Sequence, residues 1–402
     1  MANSWKTLSD GDLVRKALPA FVNALPFINT INTQYDPTKG RQNGGVLLVK
    51  DPLEFTVRSG AVMDVQDLAQ TTQSVTMATR RGIDIDVSSI DHTINVEDFE
   101  ENVLIPSMDR LGAEVQYTVL SDIYKDVFNF TGTAASAINS KLAIHNACAR
   151  LSQELAPVDD RHLLINSVNM ATAVDSFATY FHPASDVTRA FSKGNIGEAA
   201  GFKWWETNML PSHTAGTRTT TALCNTSTGI TSGTGTIAIT GASASLTFKD
   251  GDVITVDDVY ANNRQTKNRY SNLQQFVVTA DVTLNGSGAG TLNVSPTPTT
   301  SGAKQNVTLV NAGASKTVTL TANGAASSVI GQTLAYHRNA FAFVTADLYT
   351  DPSQRMSISK KGNISMRVWR SGDIVNDTFP IRFDVLFGWK TLRPEWATRV
   401  GG

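Results

Sequence analysis

Charge is the first thing this sequence is short of. Asp, Glu, Lys and Arg make up 17% of its 402 residues, against roughly 25% in ordinary soluble domains. That removes charge-rich disordered scaffolds, coiled coils and surfaces laced with ion pairs. The two signs nearly cancel, with 34 Lys+Arg against 36 Asp+Glu. A protein that grips phosphates carries a basic excess, so direct nucleic-acid binding is disfavoured. There are two cysteines, Cys148 and Cys224, far apart and without a CxxC partner, which excludes a disulfide framework and a cysteine-rich zinc site. Each reads as a small buried hydrophobe. No apolar run approaches the roughly 18 residues of a membrane-spanning helix. Residues 17–31 loosely imitate a signal peptide behind Arg15 and Lys16, but Asp10 and Asp12 precede them, Pro19 and Pro26 interrupt them, and no small-residue cleavage site follows. A cytosolic product is expected, which leaves the sequons at Asn225, Asn285 and Asn306 as coincidences of a Thr-rich region.

Catalytic signatures are missing too. The dipeptide Gly-Lys does not occur, so there is no phosphate-cradling P-loop. Gly286, Gly288 and Gly290 form a GxGxG string, but in a polar turn region rather than between a strand and a helix. GxSxG and HExxH are absent. The six histidines (His92, His145, His162, His182, His213 and His337) stand singly, without metal-ligand spacing. Paired acids at Glu100-Glu101, Asp159-Asp160 and Asp257-Asp258 fit helix starts and solvated turns better than glycosidase carboxylates. The sequence therefore predicts no enzyme, no metal and no cofactor.

What is present is organisation. Near residue 214 the composition turns Thr-rich and charge-poor, and near 333 it turns back. Between these limits, strand-like runs at 235–240, 253–256, 273–282, 306–310 and 316–321 alternate with turn signals, the pattern of an all-β sandwich or small barrel. A low-complexity stalk is the alternative, and the periodic Val, Ile and Phe of 273–282 argue against it. The flanks read as an α+β host into which this domain is inserted. Leu13, Ala17, Leu18, Phe21, Val22 and Leu25 recur at helical spacing, with a kink or early stop expected at Pro19. Runs at 46–49, 53–57 and 83–87 read as strands, with 58–81 as the tip and return of a long hairpin. Phe99, Val103, Leu104, Met108, Leu111, Val115, Val119, Ile123 and Val127 form one stripe of a long spine helix, restarted or kinked at Pro106. A helix follows over 144–155, a buried strand over 162–165, a helix over 167–181 and a strand over 341–348. Residues 364–368 and 381–386 alternate cleanly enough to pair as antiparallel strands.

Two sets of residues stand out. The polar loop 257–270 places Asp257 and Asp258 before Arg264, Lys267 and Arg269 in an otherwise charge-poor domain. It reads either as a solvated loop or as an electrostatic latch onto another subunit. On the arms, Arg58 and Asp64 of the hairpin and Phe21 of the first helix are the matching contact candidates. Trp204 and Trp205 suggest a sugar platform or, better, core or interface anchors.

This order of elements, closed by Gly388, Arg393, Pro394 and Glu395 in the run 381–397, resembles the major capsid proteins of tailed double-stranded DNA phages, which share the Hong Kong 97 fold. The insertion, preceded by Gly197-Glu198-Ala199, Gly201-Phe202 and Leu210-Pro211 and carrying 248–255 and 273–278, resembles the subgroup typified by the coat protein of Salmonella phage P22. The resemblance implies an N-arm at 1–35, an extended loop at 36–90, a spine and peripheral domain at 91–135 plus 356–402, an axial domain at 136–213 plus 334–355, and an inserted β barrel at 214–333. It also implies a chain that self-assembles, as hexamers and pentamers, into an icosahedral virion capsid in the bacterial cytoplasm. A portal protein and a separate scaffolding protein are the implied partners, since arm and loop use up all residues before the spine. The DNA is enclosed without being specifically bound, and no membrane is involved. Lys50 and Asn376 stand where relatives crosslink, without a motif to support that role. A carbohydrate-binding surface or tail protein is the rival reading, and an encapsulating nanocompartment shares the fold. Tyr260, Tyr270, Phe248 and Phe276 are the only aromatic residues of 214–333, a poor sugar platform.

Overall fold

The computed structural model describes residues 10–35, 45–63, 65–66, 70–86, 100–138, 140–177, 197–217, 222–311, 313, 315–322 and 325–402. The chain forms two compact units.

The first unit takes its described residues from Met1–Asp51, Thr71–Val119 and Phe341–Leu392. Its helix Asp10–Asn23 runs through Pro19 without stopping. The proline withholds one N–H from the Arg15 carbonyl, and Arg15 is exposed, so water can take that acceptor. Leu13, Ala17, Leu18, Phe21 and Leu25 are all buried, as their spacing predicts. Beyond the helix the chain stays on its own unit. Asn32 forms a parallel bridge to Ala342, giving its carbonyl to Phe343 N at 3.0 Å, and Phe27 N donates to buried Gln116 at 3.2 Å.

Val46–Lys50 pairs antiparallel with Thr72–Thr76, the base of the expected hairpin. Residues 53–57 form no strand; Phe55, Thr56 and Val57 favour extended backbone, but propensity alone does not make a strand. A π-helical turn, Glu100–Leu104, precedes the spine helix Ile105–Asp126. Pro106 thus sits where the π-helical turn passes into the α-helix. Val87 and Phe99, also part of the sequence reading, lie outside the described residues.

A five-stranded sheet is built on the 11-residue strand Ile381–Thr391, which pairs with Phe341–Ala346, Ile364–Arg370 and Thr79–Ile85, while Arg355–Lys361 pairs with Ile364–Arg370. The expected pairing of 364–368 with 381–386 is present, with Arg367 opposite Asp384. Ile381, Phe383, Val385 and Phe387 alternate into the core, yet Asp384 is buried as well. Its carboxylate accepts from Arg80 Nε and Nη2 at 3.0 and 2.8 Å and from Arg367 Nη2 at 2.7 Å. Gly82 lies opposite Asp384 in register. A Cβ there would stand 2.8 Å from the Asp384 carboxylate and 2.5 Å from Phe383 O, so only glycine leaves room for this triad.

The second unit takes its described residues from Pro52–Gln70, Leu120–Ala340 and Arg393–Gly402. Its six-stranded sheet runs in the order Phe130–Thr131, Ala397–Val400, Leu334–His337, Arg161–Ile165, Phe202–Glu206, Glu198–Ala199. Helices Lys141–Gln153 and Ser167–Phe177 supply Ile144, Ala147, Leu151, Met170 and Ala173 to one face, against Leu163, Ile165, Phe202, Trp204 and Val400. Residues 178–181 of the expected second helix lie outside the described residues. Strand pairing divides two segments differently from the map that the resemblance implies: 341–346 joins the sheet of the first unit, and Ala397–Val400 joins this one.

The insertion starts and ends on a two-stranded neck, Ser212–Thr214 against Val329–Gly331. Beyond it, Thr236–Ile239, Gly290–Ser295, Arg269–Val278, Val253–Asn262, Ser315–Leu320 and Ala222–Asn225 pair in sequence. The ring closes where Leu223 and Thr240 exchange backbone hydrogen bonds, each 2.8 Å. Ile237, Ile239, Phe248, Ile254, Val256, Phe276, Val278, Leu292 and Val318 fill its interior. Closure leaves no open edge in this ring.

Replacing Asp384 by Ala leaves the Arg367 guanidinium buried without its counter-charge. It should lower the stability of the unassembled subunit by about 3–5 kcal/mol in urea unfolding. Arg382 pairs with Asp84 at 2.7 Å on an exposed face, so Arg382→Met should cost under about 1 kcal/mol in the same assay.

Candidate functional site

Buried polar and charged side chains gather where the barrel is mounted on the six-stranded sheet. Two contacts hold it. At the neck, His213 stands between the end of the spine helix and the turn entering the barrel. His213 Nδ1 lies 3.2 Å from Tyr124 Oη, and His213 Nε2 lies 2.8 Å from Asp252 Oδ1, with His213 and Asp252 both buried. The second Asp252 oxygen accepts from Lys249 N at 2.8 Å. Lys125 reaches Asp250 at 3.1 Å. Arg399, fully buried, donates from Nε to Val127 O at 3.0 Å and lies 5.5 Å from the Tyr124 ring centre. Burial pulls its pKa down to about 10.

The other contact runs along the barrel wall. Val253 and Val277 are register partners that face outward, and Phe128, Phe130 and Ala322 cover them. Gln275 clasps the Phe130 peptide on both sides: Phe130 N donates to Gln275 Oε1 at 2.8 Å, and Gln275 Nε2 donates to Phe130 O at 2.9 Å. At the hairpin tip, Tyr270 Oη donates to Gln153 O at 3.1 Å, at the end of helix Lys141–Gln153. Arg264 reaches Glu395 at 3.2 Å and Glu154 at 3.8 Å. Glu154 lies 3.6 Å from Arg150, whose Nε donates to Asn129 Oδ1 at 2.9 Å. Burial pushes the Glu154 carboxyl above its usual range and the Arg150 guanidinium below its own, while each opposes the shift in the other. Two arginines and two glutamates thus face one another in a seam whose inner pair, Arg150 and Glu154, is buried and whose outer pair, Arg264 and Glu395, is partly exposed.

The predicted polar loop is therefore mostly strand. Val253–Asn262 and Arg269–Val278 continue through it, leaving a turn of 263–268. The strand survives the two acids because the register shifts between Thr255 and Tyr260. This irregularity turns Asp258 into a left-handed conformation, φ 64°. Asp258 pairs with Lys316, which holds its carboxyl below the usual range. Lys267 donates to Ala303 O, and Arg269 stacks 4.5 Å over the Tyr260 ring. Asp257 is exposed. Arg58 is exposed and donates to Val62 O at 3.4 Å and to Gly60 O. Phe21 is fully buried within its own unit, so the arm contact proposed for it is taken by its own core. Asp64 lies outside the described residues. Trp204 is a core anchor donating to Ala199 O at 3.1 Å.

Sequence reasoning missed Tyr124, His213, Asp252, Arg150, Glu154, Gln275 and Arg399, and singled out Glu395 only as part of the family-like ending. Only the spacing of Arg150 and Glu154, one helical turn apart, was a usable signal.

Arg264→Met removes one of two cations facing Glu154 and Glu395. It should cost about 2 kcal/mol in thermal unfolding of the subunit, whereas Arg269→Met should cost under about 1 kcal/mol, as expected for an exposed cation–π pair.

A family model described as "P22 coat protein - gene protein 5" matches residues 13–401. No curated protein matches the chain. Solved structures similar to it include one from Mycobacterium phage Che8, at 13% identity and TM-score 0.46, covering 92% of this chain and 89% of that one. The mature capsid of bacteriophage PhiM1 is similar at 10% identity and TM-score 0.41, covering 88% and 81%. A virus-like particle from Pyrococcus furiosus is similar at 8% identity and TM-score 0.40, covering 96% of both chains. Matched over 13–401, this chain belongs to the P22 coat protein family: it is a structural major capsid protein of a tailed phage, a component of the virion shell.

Proposed function

We propose that copies of this chain assemble in the bacterial cytoplasm as hexamers and pentamers, guided by a separate scaffolding protein and built around a portal, into an icosahedral shell that encloses double-stranded DNA without binding it specifically. The family match over 13–401 carries this reading. Physical chemistry supports it. Formal net charge is −2, so copies repel one another little at shell density, and the inner wall does not hold the packaged polyanion. Closed shells need many modest interfaces, so that misplaced subunits leave before sealing. The segment carrying exposed Phe55, Val57, Val62 and Met63 beside Arg58 offers one such surface.

The intersubunit latch is narrower than the charge pattern suggested. Arg264, Lys267 and Asp258 have partners within the chain, which leaves Asp257 as the exposed carboxylate that meets a neighbour. The glycan-binding rival loses its platform: Phe248 and Phe276 fill the barrel, Tyr260 lies under Arg269 and Tyr270 bonds Gln153. No catalytic role is proposed.

The chain, expressed with its candidate scaffolding partner, should give uniform closed particles of megadalton mass by mass photometry and negative-stain imaging; only 43.2 kDa monomer, alone and with the partner, would refute the assembly reading. Asp257→Lys should lower shell yield and leave the melting temperature of the unassembled subunit unchanged. Equal yield would remove Asp257 from the interface.

A further inference from the structure

The shell reading leaves an arrangement on the six-stranded sheet unused. His162 lies in register with Lys203 on one neighbouring strand and Tyr336 on the other. Its ring stacks on Tyr336 with centroids 5.9 Å apart. Nδ1 of His162 accepts a hydrogen bond from the indole Nε1–H of Trp205 at 3.1 Å. An indole N–H can only donate. The bond therefore requires a lone pair on Nδ1, which places the neutral ring's proton on Nε2. His162 is buried, but Trp205 is 38% exposed, so its indole can leave without opening the core beneath, where Trp204 is the anchor.

We propose that His162 and Trp205 form an acid-released latch: a proton taken up at Nδ1 sets two N–H donors against each other, breaks their hydrogen bond and frees the indole from the sheet.

The groups facing the imidazole are Lys203 from the adjacent strand, Asp160 from the turn preceding its own strand, and His337 and Arg338 from the strand end and turn on the other side. Burial, then Lys203, hold the imidazole down to about 4 from 6.5, with Asp160 opposing. Since the closed latch binds its proton more weakly than the open one, its contribution to stability is complete above the ordinary imidazole value. It is lost as pH falls from there through about 4. The released indole adds a large apolar face to the sheet, a surface able to bind another apolar surface in acid and not at neutral pH.

Fluorine NMR of the fluorotryptophan-labelled subunit tests this. The Trp205 resonance, identified as the one lost in Trp205→Phe, should move toward the free-indole position with a midpoint between pH 6.5 and about 4. In His162→Asn it should stay put, because the Asn side-chain oxygen accepts the indole proton and does not titrate. A Trp205 resonance that stays fixed through that range, moves equally in His162→Asn, or moves only together with every other tryptophan as the chain unfolds would overturn the latch. If His162→Asn does not fold, the wild-type protein decides. The His162 ring-carbon proton and the Trp205 fluorine should share one midpoint, and two separate midpoints would count against the proposal.

Discussion

A barrel inserted into another domain's sheet arrives on two strands, and two strands alone leave it free to swing. The seam of Arg150, Glu154, Arg264 and Glu395 is the constraint that prevents this. Arg150 and Glu154 are buried beneath the partly exposed Arg264 and Glu395, and the buried pair is tolerable only while its partners are in place. Arg264 comes from the barrel, Arg150 and Glu154 from the end of a helix, and Glu395 from the turn before the last strand. The seam therefore ties three distant stretches of chain to one geometry. Around it, Gln275 completes the hydrogen bonding of Phe130, and Val253 and Val277 bury their outer faces. The neck contributes the second fixed point, through Tyr124, His213 and Asp252. With both points fixed, barrel and six-stranded sheet behave as one body. For a shell protein this means that a contact made by the barrel is transmitted to the sheet and not absorbed by a hinge.

Much of this was legible in the sequence wherever the signal is local. The buried strand Arg161–Ile165, the pairing of Ile364–Arg370 with Ile381–Thr391, and four of the six ring strands follow from alternation and turn chemistry, while Ala222–Asn225 and Gly290–Ser295 went unread. The composition changes near 214 and 333 lie beside the paired strands Ser212–Thr214 and Val329–Gly331. The order of elements identified the family.

The signal failed where long-range partners decide. Asp257 and Asp258 look like loop residues, yet the register irregularity beneath them and Lys316 across the sheet keep the strand going. Residues 53–57 read as a strand and form none. Buried charges are the hardest case. Asp384, Arg399 and Glu154 read as surface residues because such groups are almost never fully buried unless paired, and their partners lie up to hundreds of positions away, as Arg80 does from Asp384. The latch candidates show the same limit: Asp258 and Arg264 pair not with each other but with Lys316, Glu395 and Glu154 elsewhere in the chain.

Native-state hydrogen exchange on the unassembled subunit tests the single-body account most directly. The account predicts that the amides of Arg269–Val278 and of helix Lys141–Gln153 open together, with one free energy, and that Arg264→Met lowers both equally. Barrel amides that keep their protection while the helix loosens, or the reverse, would contradict it.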